Sequence, residues 1–70
     1  MDQKYEIVIR GHLPPHWIVA FEGMEIHSQL DGNTCIAGSL PDQSALYGLI
    51  MRLRDLGINL VSVNAVDRKE

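Results

Sequence analysis

The stretch from Leu40 to Val66 constrains this chain more than any other. Ala45, Leu46, Leu49, Ile50, Leu53 and Leu56 recur at spacings of three and four residues. At 100° per residue they fall in one arc about 140° wide, the core-facing stripe of an amphipathic helix. Asp42 stands where an N-cap belongs, with a carboxylate that can accept from the free N–H groups of the first turn. Ser39, with Asp42 three residues on, is the alternative capping-box arrangement. Either way the helix begins near residue 42. Gly57 occupies the position of a left-handed C′ residue, and Ile58 to Val66 follows as a strand. A single helix with a single apolar stripe needs a sheet to cover.

The remaining residues supply one. From Tyr5 to Leu13 apolar and polar side chains alternate, the period of a strand. Pro14-Pro15 ends it, since neither proline donates to a ladder. Trp17 to Ile26 reads as a second strand, with Trp17, Val19 and Phe21 on one face. The apolar phase slips at Gly23, which predicts a β-bulge. Leu30-Asp31-Gly32-Asn33 is a hairpin turn, and Thr34 to Leu40 a short third strand. The order β-β-β-α-β gives an α+β fold: a four-stranded mixed, mainly antiparallel sheet with one helix on one face. In this reading three meandering strands run up, down and up. The helix returns the chain, so the fourth strand is parallel to the third and lies beside the first in a parallel pair. Residues 1–70 form one small domain, with Asp67 to Glu70 frayed.

Size limits what such a domain can do alone. A chain of 70 residues buries only about 60–65% of its unfolded surface. Small domains compensate with a disulfide, a metal or a second copy. Cys35 is the only cysteine, so no internal disulfide forms. The net charge of −3, with Lys and Arg dispersed, argues against nucleic-acid binding by counterion release. No apolar run reaches the roughly 18–20 residues that span a bilayer. The polar Met1-Asp2-Gln3-Lys4 lacks the pattern of a signal peptide. The expectation is a cytoplasmic protein with no nucleic-acid and no membrane partner.

Several residues are left unexplained by folding. The second strand is apolar on both faces, Trp17, Val19 and Phe21 against Ile18 and Ala20. The last strand repeats this, with Ile58 and Leu60 against Val61 and Val63. Two-sided apolar strands call for two-sided burial, by a second subunit or partner or by a sheet that curls over them. On the helix, Tyr47 and Met51 lie away from the core stripe, and Gly48 sits beside them. A mid-helix glycine costs about 1 kcal/mol against alanine. A neighbour passing over Gly48 would supply a reason, with Tyr47 and Met51 as anchors. Alternatively Tyr47 and Met51 are an exposed pair that helps the helix locally. The candidate interface is therefore Trp17, Tyr47, Gly48, Met51, Val61 and Val63.

Catalytic chemistry has little footing. His12 and His16 are separated by two prolines, which removes helical ligand spacing, and loop histidines of this kind are usually solvated. Cys35, mid-strand between Thr34 and Ile36, reads as an inert small hydrophobe. No phosphate loop, nucleophile elbow or carboxylate pair appears. No catalytic residue, metal ligand or cofactor site is assigned.

The run Asp42-Gln43-Ser44-Ala45-Leu46-Tyr47-Gly48-Leu49, continued by Arg54-Asp55-Leu56-Gly57 and Leu60-Val61-Ser62-Val63, resembles a group of small uncharacterised bacterial proteins. They share the pattern Asp-Gln-x-Ala-Leu-x-Gly-Leu, then Arg-Asp-Leu-Gly, then a Ser-Val strand. Arg10-Gly11-His12-Leu13 and the Asp31-Gly32-x-Thr34 turn are similar to theirs as well. The group has histidine where this chain has Tyr47, a departure that weakens any catalytic or metal role there. The resemblance implies the fold and a bacterial cytoplasmic setting, and brings no activity. The functional expectation is a non-enzymatic interaction or regulatory module, a homodimer or the partner of an unidentified protein. The alternative is a small-ligand-binding module, with a pocket between the sheet and a neighbour near Trp17, Phe21 and His27.

Overall fold

A computed structural model of the chain describes residues 2–14, 21 and 23–66. The strands are β1 (Gln3–Arg10), β2 (Glu25–Ser28), β3 (Asn33–Leu40) and β4 (Leu60–Val66), with the helix α1 (Gln43–Asp55) between β3 and β4. The β-β-β-α-β order and the α+β class are as the sequence predicts.

The sheet order is β2-β3-β1-β4, and every neighbouring pair is antiparallel. This corrects the meander. β1 does not pair with β2; it lies between β3 and β4, placing Ile7 opposite Ile36 on one side and Val63 on the other. The expected parallel pair of first and fourth strands is antiparallel. The physical reason lies in the length of chain between β1 and β2, residues 11–24. Parallel strands need a crossover of about a dozen residues, and this connection is long enough to carry the chain past the place of β3. β1 and β2 thus run parallel with β3 between them. β3 and β4 run parallel with β1 between them, as a split β-α-β unit. The helix does return the chain so that β4 parallels β3 beside β1; the partner on the far side of β1 and the sense of the β1–β4 pairing differ.

β2 starts at Glu25. Gly23 has φ +91, and Met24 N–H donates to the Phe21 carbonyl at 3.0 Å. The phase slip at Gly23 is therefore a turn before the strand, not a bulge within it. Trp17 and the other residues of 15–20 lie outside the described residues, as does the tail 67–70. The Asp31-Gly32 hairpin forms as expected. Gly32 N–H donates to Gln29 O at 3.1 Å, and Gln29 N–H to Asn33 O at 2.8 Å. Gly32 takes the left-handed conformation, with φ +88, that a type I turn with a following bulge requires.

The core lies on the helix side of the sheet. Tyr5, Ile7 and Ile9 of β1 meet Ile36 of β3, Leu46 and Leu53 of α1, and Leu13 and Phe21 from the connection. Ile7, Ile9 and Ile36 are fully buried, each contributing about 1.5–3 kcal/mol. Thr34, the buried polar residue of the core, is satisfied: its hydroxyl donates to Gly11 O at 2.6 Å.

The helix ends are built as the sequence reads. The Asp42 carboxylate accepts from Ala45 N–H at 2.9 Å, so Asp42 rather than Ser39 is the cap. At the other end Ile58 N–H donates to Leu53 O at 3.1 Å and Gly57 N–H to Arg54 O at 2.9 Å. This is a Schellman motif, with Ile58 packed on the core next to Leu53. Asp42→Ala is expected to lower stability by about 1 kcal/mol, and Asp42→Asn by much less. Thermal unfolding followed by circular dichroism reads the difference.

Candidate protein interface

The sheet surface away from α1 is polar. Alternation places Lys4, Glu6, Val8 and Arg10 of β1 there, with Cys35, Ala37 and Ser39 of β3, Glu25 and His27 of β2, and Ser62, Asn64 and Val66 of β4. His27 Nε2 lies 3.3 Å from Glu25 Oε1, both well exposed. This corrects the expected second apolar face for the last strand; Trp17 to Ala20 lie outside the described residues. The reason is visible in β4. The pairing with β1 shifts register between Val8 and Ile9, so that Ser62 faces Val8 and Leu60 faces Ile9. The extra residue at Val61 reverses the parity of the strand. Leu60 and Val63, which simple alternation puts on opposite faces, both stand opposite core residues of β1.

Cys35 sits in the middle of the polar face, in register with His27 on one side and Val8 on the other. Burial pushes its thiol above the ordinary range, and the Glu6 carboxylate raises it further, against a lowering by Lys4. A protonated thiol is a poor nucleophile. Alkylation of Cys35 at pH 8 is expected to be slower than that of a free thiol. Glu6→Gln removes a repelling anion and should move the reactivity midpoint to lower pH; Lys4→Gln should move it higher. Rates of iodoacetamide labelling across pH 7–11 check both directions.

A groove of about 420 Å³ runs between the first half of α1 and the segment before β2, lined among others by Phe21, Met24, Leu40, Gly48, Leu49 and Arg52. His27 does not approach it: Phe21 is in the core, on the helix side, while His27 is on the polar face. Gly48 is part of the groove wall, and a Cβ there would meet nothing within 4 Å. Within the described structure no close neighbour requires a glycine. Gly48→Ala is expected to stabilise the helix by about 1 kcal/mol. The melting temperature should rise by about 4–8 °C; a fall would show that something packs closely over this position.

Leu30 is exposed at the hairpin tip, and the other exposed large apolar side chains lie on α1 and β4. Tyr47 is 58% exposed, Met51 51%, Leu60 43% and Val61 47%. Ile50, Arg54, Tyr47 and Met51 occupy an arc of about 100° on one flank of α1. Ile50 and Arg54 also line a hollow of about 380 Å³ with Leu53, Ile58 and Leu60 at the start of β4. That hollow identifies this flank as the one over the β4 side of the sheet; the groove with Gly48 marks the opposite, β2 side. Tyr47 and Met51 follow Ile50 and Arg54 round the helix on this flank, and Leu60 lines the same hollow. Of the sequence candidates, Tyr47, Met51 and Val61 are exposed. Val63 is packed against the core, Gly48 turns to the other side, and Trp17 lies outside the described residues. Leu60 was missed as a candidate because the parity reversal at Val61 cannot be read from the sequence.

Among the described residues no group of three or more His, Cys, Asp or Glu side chains is placed to hold a metal ion, and no helix is long and apolar enough to cross a membrane. Residues 4–64 match the family described as a domain of unknown function (DUF8691), and the chain belongs to that family. No curated protein and no solved structure matches it.

Proposed function

We propose that this member of the family is a non-enzymatic interaction module that works by associating with a second copy of itself. The observation that carries the reading is that Tyr47, Met51, Leu60 and Val61, on α1 and β4, are each about half exposed. Single exposed apolar residues are ordinary, but four on one helix and the neighbouring end strand suit a contact surface. Two come from the helix flank and two from the edge strand on the same side, so a single partner surface reaches all of them. The size of the domain favours the same reading, because a second copy enlarges a core that one copy leaves small.

The reading predicts reversible self-association at micromolar concentration in sedimentation equilibrium. Val61→Lys and Tyr47→Glu place charges on the contact surface without touching the core. Each is expected to weaken association at least about ten-fold, by analogy with the loss of roughly 1.4 kcal/mol or more at an interface centre, with an unchanged circular dichroism spectrum. A wild-type chain that sediments as a monomer throughout that range would sink the reading.

A further inference from the structure

We infer that two copies join through their β4 edges, antiparallel and two-fold about Val63, into one continuous eight-stranded sheet. The inference rests on the self-association just proposed and adds to it the contact and its register.

β4 is an end strand of the sheet, so among the described residues no strand lies beside one of its two backbone edges. Natural sheets blunt such edges with lysines, prolines or brevity. β4 has none of these protections: Leu60-Val61-Ser62-Val63-Asn64-Ala65-Val66 is uncharged, free of proline and as long as seven residues. The other edge strand, β2, is only four residues long and carries Glu25 and His27. The bulge at Val61 bends one end of β4 but leaves Ser62 to Val66 in regular pairing.

The phase of the open edge can be read from the inner one. Arg10 N–H donates to Asn59 O at 2.9 Å. Backbone groups alternate in direction along an antiparallel strand, so the even-numbered residues of β1 aim at β4, and Ser62, Asn64 and Val66 answer them in register. Val63 and Ala65 then aim their N–H and C=O groups outward. A second β4 laid antiparallel with Val63 opposite Val63 of the other copy exchanges both hydrogen bonds of that pair.

The sequence fits this register when read in either direction. About Val63 the strand runs apolar, apolar, polar, Val, polar, apolar, apolar. Two-fold pairing sets Ser62 against Asn64 of the other copy on the polar face, two side chains that each donate and accept. Beyond Ser62 the bulge at Val61 ends the regular register, so the pairs that define the joint are Val63 with Val63 and Ser62 with Asn64. A C2 contact requires a surface that complements itself, and strand addition supplies its main-chain bonds. The same arrangement brings the Tyr47 and Met51 flank of each helix towards the joint, on the helix side of the extended sheet. The open edge and the apolar flank are thereby covered by one partner.

Cross-linking in the full chain tests the register. In a Cys35→Ser background, Ser62→Cys and Asn64→Cys chains are mixed at micromolar concentration and oxidised mildly; both substitutions lie on the polar face, away from the core. Opposed non-hydrogen-bonded residues have Cα atoms about 4.5 Å apart, within the range a disulfide spans. The mixture is expected to yield disulfide-linked heterodimers, one chain of each variant, at least ten-fold faster than either variant links to itself. Asp31→Cys, on the hairpin, is the control for random collision. Rapid self-linking of Asn64→Cys would place the axis at residue 64 and overturn the Val63 register. A dimer in sedimentation equilibrium that links no faster than the Asp31→Cys control would overturn edge pairing while leaving self-association standing. A monomer in sedimentation would remove both.

Discussion

The structure depends on the double pairing of β1. Its odd-numbered side chains, Tyr5, Ile7 and Ile9, are all buried, and its backbone is bonded to β3 on one side and β4 on the other. A strand in that position loses both edges and one face to the protein interior. It can carry charge only on the remaining face, where Lys4, Glu6 and Arg10 stand. Everything else is arranged around it. The helix lays Leu46 and Leu53 across the same isoleucines, and the Schellman turn at Gly57 delivers the chain to the free side of β1 as β4.

That arrangement decides where the molecule has surface to offer. With β1 central, the strands left at the edges are β2 and β4. β2 is short and polar, while β4 is longer and uncharged. The helix leans its Tyr47 and Met51 flank over the same side. The candidate interface is thus a by-product of topology: residues ordinary in isolation become a candidate surface because the split crossover puts the end of the sheet beneath one flank of the helix. The face away from the helix, which a meander with two apolar sides would have offered, is charged and alternates regularly.

Much of the local structure was legible in the residues. The helix and both of its ends follow from a 3.6-residue stripe, Asp42 and Gly57, and the hairpin from Asp31-Gly32. These signals act over a few residues and need no partner. The misreadings arose where two distant segments choose each other. Leu13 and Phe21 read as strand residues because they are apolar, yet they are apolar because they fill the core. Periodicity cannot separate those causes. Likewise Tyr47, Met51 and Val61 could be named as unexplained, but Leu60 could not.

By itself the sequence determined the class of the fold: one capped helix, short alternating strands, and a core stripe that only a sheet could cover. It also determined that no catalytic constellation is spelled out in its motifs. Tertiary structure alone decided that β3 rather than β2 lies beside β1, that all strand pairs are antiparallel, and that a one-residue register shift at Val61 turns Leu60 and Val63 to the same side. The physical reason is that strand pairing is settled between distant backbones. Its outcome rests on which partner buries Ile7 and Ile9 completely, and no window of neighbouring residues contains both parties.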